Sequence, residues 1–223
     1  MSIVIAVDGT AASGKGTLAK RLAAHFGFHH LDSGALYRLG GLGVAEAHGD
    51  PHNEADAMAA ARHIDHTRAD DPAIRTGAVG TLASVVSAHP AVRAALLEFQ
   101  RTFARLPSGV VIDGRDIGTV VCPDATAKLF IDASPLVRAH RRWLELAAAA
   151  AAENTDPPDK ARLLAEIVTR DERDRTRAVA PLKPAWDAAL LDTSNLDIDG
   201  AFAAALALVS PSVENVLNSL AKG

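Results

Sequence analysis

Apolar positions along the chain fall into short continuous runs separated by longer amphipathic stretches. The runs at 2–7, 28–31, 110–112, 127–131 and 189–191 are too short for helices, and the first is apolar on both faces. That is the pattern of strands buried inside a parallel sheet. Between them, spacing near 3.6 predicts helices over 15–26, 35–47, 54–63, 80–87, 90–105, 135–152, 158–175 and 200–209. Pro90, Pro135 and Pro158 each stand where a helix opens, a position at which a missing N–H does no harm. Polar, Pro-containing segments at 48–53 and 155–159 break the pattern and read as loops or hinges. The tail from Ser210–Pro211 reads as an appended helix, 210–223, with no evident function. Alternating strands and helices predict an α/β fold, a parallel five-stranded sheet flanked by helices.

Size and charge narrow this picture. A chain of 223 residues suits a single domain, 1–223, with a substantial core. A formal net charge of −4 argues against a general nucleic-acid or membrane-surface binder. No apolar stretch is expected to reach membrane-spanning length, and the alanine run 147–152 reads as plain helix. Cys122 is the only cysteine, which excludes an internal disulfide and a Cys-rich metal site. Nine histidines lack any His-Glu-x-x-His spacing, so His48, His52, His63 and His66 read as exposed residues. The amino terminus runs straight into a strand pattern without a basic leader, and a cytoplasmic protein is expected.

The candidate chemistry begins directly after the first run, with Asp8-Gly-Thr-Ala-Ala-Ser-Gly-Lys-Gly-Thr17. Strand, glycine-rich turn and helix follow one another, the context a phosphate-cradling loop requires. Gly9, Thr10, Ala11, Ala12, Ser13 and Gly14 would turn successive N–H groups toward an anion, and the next helix adds its positive end. Lys15 would reach the outer phosphates of a bound ligand, with Gly16 and Thr17 completing the loop. The hydroxyl usually found beside this lysine is displaced by one place, to Thr17. A magnesium ion carried with ATP is therefore expected to be held largely through water, by Thr17 and by Asp113 at the end of the third run. Asp113 alone also reads as the cap of the following turn.

Arginines crowd the same ends of the runs. Arg38 follows the second, Arg115 the third, and Arg170, Arg173, Arg175 and Arg177 lie on one helix end. Arg170, Asp174 and Arg177 stand at i, i+4 and i+7, on one helix face. In isolation such a run is a solvated face, and Arg38 a solvated helix residue. Transfer between two phosphorylated molecules gives them another purpose, because two polyanions must approach each other. A heterocycle that offers both an amino donor and ring acceptors needs a carboxylate to accept and arginine or hydroxyl groups to donate. Asp116, Arg93 and Ser84 would supply that set.

Gly-Lys-Gly-Thr is the loop form of nucleoside monophosphate kinases. The segments Leu31-Asp-Ser-Gly-Ala-Leu-Tyr-Arg38, Asp113-Gly-Arg-Asp-Ile-Gly-Thr119 and Arg170-Asp-Glu-Arg-Asp-Arg-Thr-Arg-Ala-Val-Ala-Pro181 resemble those of bacterial cytidylate kinases. Ile74-Arg-Thr76, Ala83-Ser84 and Pro90-Ala-Val-Arg93 extend the resemblance, which runs in order from Ile3 to about Asp192. It implies a P-loop NTPase-type fold and ATP- and Mg²⁺-dependent phosphorylation of CMP and dCMP by a cytoplasmic monomer. It further implies Lys15, Arg115 and Arg177 as catalytic groups. Ser33, Arg38, Ser84, Arg93, Arg115, Asp116, Arg170, Asp174 and Arg177 would form the CMP site.

By this resemblance the core comprises about 1–40, 90–135 and 185–209, the NMP-binding insertion about 41–89, and a short helical lid about 147–178. Relatives carry extra strands before the Ile-Arg-Thr segment. Here residues 64–73 are too few and too polar for two strands, so a reduced insertion of helices and loop is expected. Two other readings stay open: a related kinase acting on AMP, UMP or shikimate, and a nucleotide-binding regulator without turnover.

Overall fold

The computed structural model describes residues 2–152 and 154–222. Five parallel strands, β1 (Val4–Gly9), β2 (His29–Asp32), β3 (Val110–Gly114), β4 (Ala127–Asp132) and β5 (Ala189–Asp192), lie in the order β2-β3-β1-β4-β5. β1 is central, pairing Ile5 with Val111 and Ala127, and every residue of it is buried. The apolar run predicted at 2–7 is thus a strand shifted to Val4–Gly9. Asp8 and Gly9 stay in the ladder, opposite Gly114 and Ile131.

Alternation on β1 sorts side chains to two cores. Ile3, Ile5 and Val7 meet Leu18, Ala19 and Leu22 of α1 (Lys15–Phe26) on one face. Val4 and Ala6 meet Ile112, Ala104 and Ile117 on the other. Leu22 is fully buried, and its truncation to Ala would cost ~2–5 kcal/mol. α5 (Pro90–Phe103) covers the second face, opening at Pro90 as the sequence pattern required.

The insertion has its own core. α2 (Ser33–Glu46), α3 (Glu54–Arg62) and α5 bury Leu36, Val44, Ala57 and Val92 together, with Val86 from the segment that precedes α5. α4 (Gly77–Val86) approaches α2 closely at Gly41, where a Cβ would lie 2.9 Å from the Ala83 nitrogen. Residues 66–70 and 72–75 form only two short 3₁₀ turns, each capped by an aspartate, Asp65 and Asp71. No strand is found between β2 and β3 among the described residues, as the shortness of 64–73 required.

α6 (Pro135–Ala152) and α7 (Lys160–Thr176) form a helical pair joined by the polar break predicted near 155–159. α8 (Ile198–Leu220) departs from expectation. In place of a helix ending at Val209 and an appended one beginning at Ser210, a single helix continues through Pro211. Its buried positions Ala201, Ala205, Val209 and Val213 keep a spacing of four across the proline, so packing on the sheet holds the helix together. The N–H lost at Pro211 frees only the carbonyl of Ala207, an exposed residue. α8 is also, contrary to expectation, long and apolar enough to cross a membrane, with a mean hydropathy of 1.4 over its most apolar stretch. Its buried stripe is spent on β4, β5 and α1.

Candidate functional site

Gly9 ends β1 at φ +152°, with a Cβ position 2.0 Å from the Ile131 carbonyl, so no side chain fits there. The chain then turns through Ala12, at φ +57°, and Gly14, at φ +87°, into α1. Inside this loop the Ser13 hydroxyl donates to the Thr10 carbonyl at 3.0 Å and Lys15 Nζ reaches the same oxygen at 3.3 Å. Thr10 Oγ1 donates to Asp132 at 2.6 Å. The loop is fixed from outside by Arg138 of α6, a fully buried arginine. It donates to the Ala11 carbonyl at 3.0 Å, to the Ala133 carbonyl at 2.7 Å, and to both oxygens of Asp171 on α7.

At the carboxyl ends of β1, β2 and β3 a cleft opens beside Lys15, where an open α/β sheet places its ligands. Of the expected residues, Lys15, Ser33, Arg38, Ser84, Arg93, Asp113, Arg115, Asp116, Arg170, Asp174 and Arg177 all line it. Six cationic side chains and four carboxylates meet there, so a chain of net charge −4 carries a locally positive cleft. Asp32, Gly34, Tyr37, Ala83, Ser87 and Gly114 complete the wall.

The charges are arranged in pairs from different elements. Arg93 on α5 binds Asp116 Oδ2, and Arg177 Nη2 stands 3.7 Å from Asp116 Oδ1. Arg115 Nε donates to Asp174 Oδ2 on α7 at 2.5 Å, and its Nη1 to the Gly9 carbonyl at 2.8 Å. Arg38 donates to Asp32 at 2.5 Å, while Asp32 also caps α2 through the Ala35 N–H. Arg173 Nη1 donates to Ser84 Oγ at 2.9 Å, joining α7 to α4. Several donors remain: Arg38 Nε, Arg170 Nε and Arg177 Nη2 are buried without a hydrogen-bond acceptor. Buried guanidinium N–H groups are costly to leave so, and an anionic ligand would supply the acceptors.

Burial and the neighbouring Arg115 pull the Lys15 ammonium down to about 7, against the opposing fields of Asp113 and Asp32. Burial, then Arg115, likewise lowers Arg170 to about 10. Burial works to raise the Asp174 carboxyl, but Arg115, Arg170 and Arg177 outweigh it and hold it below its ordinary value. Asp32 is held down in the same way, burial being outweighed by Arg38 and Lys15. Cations pressed together lose charge readily, and both carboxylates stay ionised beside them.

Asp113 sits in β3 with its Oδ2 2.8 Å from His30 Nε2. The residue that faces it is Gly16, whose Cβ position lies 3.8 Å from Asp113 Oδ1. Thr17 is exposed and does not line the cleft. The displaced hydroxyl is therefore not brought beside Asp113 as expected, because one residue along α1 rotates a side chain by about 100°. Among the described residues no group of three His, Cys, Asp or Glu side chains is placed to hold a metal. A single carboxylate beside a phosphate loop suits a magnesium ion bound mainly by substrate phosphates and water. His48, His52, His63 and His66 are exposed, as expected.

Four residues, His30, Asp32, Arg138 and Asp171, were not among the expected site residues. Asp32 and Asp171 lie inside the quoted motifs and were findable there. His30 and Arg138 carry no sequence signal of their own, since each is defined by a partner distant in the chain.

Comparison with known proteins agrees with this geometry. A family described as "Cytidylate kinase" matches residues 5–210. A cytidylate kinase of Rhodopseudomonas palustris is 58% identical over 207 residues, 93% of this chain and 95% of that protein. One of Afipia carboxidovorans is 55% identical over 93% of this chain and 97% of that protein. A crystal structure of an uncharacterized protein from Eubacterium ventriosum shares the fold, with a TM-score of 0.54 at 15% identity over 94% of this chain and 99% of that one. With sequence kinship over nearly its whole length and the phosphate loop facing an arginine-rich cleft, the chain belongs to the cytidylate kinase family.

Proposed function

We propose that this protein transfers the γ-phosphoryl group of ATP to CMP and dCMP, giving ADP with CDP or dCDP, as a monomer of cytoplasmic pyrimidine metabolism. The observation that carries the reading is the joining of a phosphate loop and a buried Asp116–Arg93 pair in one cleft. Residues 9–17 would hold ATP, with Lys15 on its outer phosphates. Asp116 would accept from the cytosine amino group, with Arg93 and Ser84 donating to the ring. Arg170 and Asp174 would address the pentose, and Ser33 and Arg38 the acceptor phosphate.

The acceptor phosphate oxygen is already anionic, so transfer needs no base. Its lone pair forms the new P–O bond as the bond to the ADP oxygen breaks, and the leaving charge passes to ADP. The protein's work is to hold two polyanions in line and neutralise charge as it moves. Lys15, Arg115 and Arg177 would do this, and the preorganised Arg115–Asp174 pair supports the reading, since it would spend little reorganisation on it. Magnesium, which supplies charge neutralisation when bound with ATP, would be addressed by Asp113 through water. α6 and α7 would serve as the lid, and the α3–α4 insertion as the acceptor side.

A coupled assay of ADP release with CMP, dCMP, UMP and AMP tests the reading. CMP and dCMP should be the best acceptors. Preference for AMP or UMP would assign the cleft to a related kinase, and nucleotide binding without acceptor-stimulated turnover would make the protein a regulator.

A further inference from the structure

Asp8 is the one carboxylate of the phosphate-loop motif to which the proposed reaction assigns no role. It lies in the interior, 3% exposed, at the end of β1. Its oxygens accept from two consecutive backbone N–H groups of another segment, Ile117 and Gly118, each at 2.7 Å. These open a single π-type turn, Ile117–Val121, that directly follows Arg115 and Asp116. The first N–H groups of any helical turn lack partners within it. Here a carboxylate from β1 satisfies them, more than a hundred residues away in the chain. The Asp116 carbonyl accepts from Val120 at 2.9 Å at the other side of the same turn, so the peptide of Asp116 is gripped by a turn that Asp8 anchors.

The charges facing Asp8 make the arrangement expensive. Lys15 favours its ionised form and Asp116 opposes it, and the Lys128 side chain packs over Gly118. No ion pair neutralises Asp8 among the described residues. Burial pushes its carboxyl up to about 7 despite both N–H bonds. A serine or asparagine could cap a turn at less cost. A carboxylate kept here fixes two adjacent N–H groups at once, and with them the direction of the preceding side chain.

We infer that Asp8 is the positioning residue for the base-reading segment, setting Asp116 against the base from beneath while Arg93 and Arg177 hold it from above. The inference rests on the assignment of Asp116 to cytosine made above. In Asp8→Asn the amide nitrogen must face one of the two N–H groups, so one bond is lost and the turn shifts. The kcat/KM ratio of CMP over UMP should fall ~10-fold, the cost of one misplaced buried hydrogen bond. Binding of a fluorescent ATP analogue should stay within about twofold, because the loop backbone does not use the Asp8 side chain. Hydrogen exchange of the Ile117 and Gly118 amides should accelerate without ligand.

Gly118→Ala gives a milder probe should Asp8→Asn not fold. A Cβ there lies 3.1 Å from Lys128 Cδ and 3.4 Å from Asp8 Oδ2, crowding the carboxylate without removing it. It should lower the same ratio by a smaller factor. Fast exchange at both amides with an unchanged CMP/UMP ratio would overturn the inference. So would an unchanged ratio in Gly118→Ala if that variant alone can be prepared. A wild-type enzyme indifferent to CMP and UMP would instead sink the assignment of Asp116, while the amide exchange would still report whether Asp8 anchors the turn.

Discussion

Arg115 and Asp174 meet across the cleft at 2.5 Å, and the same guanidinium holds the Gly9 carbonyl of the phosphate loop at 2.8 Å. One side chain thereby links β1, β3 and α7. Asp174→Ala would leave Arg115, Arg170 and Arg177 crowded without their shared counter-charge. KM for CMP is expected to rise ~10-fold or more and kcat to fall, with KM for ATP changing less. Arg177→Ala should fall mainly on kcat. Steady-state kinetics with each substrate varied in turn decides between these outcomes, and wild-type constants for both variants would return the α7 stripe to an ordinary surface.

Lys15→Met should remove most turnover and leave the fold in place. The residue is partly exposed and its one protein hydrogen bond is to the Thr10 carbonyl at 3.3 Å, so little packing depends on it. Transition-state charge stabilisation of several kcal/mol corresponds to ~10²–10³ in kcat. Circular dichroism establishes the fold; retention of more than about a tenth of wild-type turnover would contradict the role.

Asp116→Asn should narrow the preference for CMP over UMP. UMP presents an acceptor where CMP presents an amino donor, and a carboxylate facing it costs ~1–3 kcal/mol. An amide can turn its nitrogen toward that acceptor. Parallel kcat/KM measurements on the two acceptors read the change directly, and an unaltered ratio would remove Asp116 from the base site.

The reduced insertion invites a test of closure. Residues 66–75 touch the helical pair through Arg142, which donates to the Arg75 carbonyl at 2.8 Å, and α4 touches it through Arg173 and Ser84. If these contacts tighten over CMP, backbone exchange across 65–76 should slow when CMP is added. Equal exchange with and without CMP would show that the segment is no closing element.

The central strands and most helices were legible because buried parallel strands such as β1 and β3 are apolar on both faces and amphipathic helices repeat near 3.6. The failures have one cause, tertiary contact overriding a local signal. Pro211 should end a helix, yet Val209 and Val213 are buried on either side of it. Asp8 looks like the end of a strand's apolar run, yet the ladder continues through it. In the site, the residues found lie almost all inside contiguous motifs, although Asp32 and Asp171 within the same motifs were passed over. Thr17 was misplaced by one helical position. Arg138 and His30 matter only through partners far along the chain, a relationship that no local pattern encodes.

The Lys15 ammonium makes a prediction about pH. Its value of about 7 in the folded protein lies well below the ordinary 10.5. Between those two values the unfolded chain keeps the proton and the folded protein does not. Unliganded stability from this group therefore rises with pH across that window and carries the full penalty below it. Phosphate charge beside Lys15 works the other way, restoring the charged form. ATP binding at about pH 8.5 should then take up a proton, and affinity should weaken as pH rises through the same window. Calorimetry in buffers of different ionisation enthalpy measures the uptake, with Lys15→Met as the control for protons exchanged elsewhere. Uptake equal in wild type and Lys15→Met would show that the lysine enters the complex already charged.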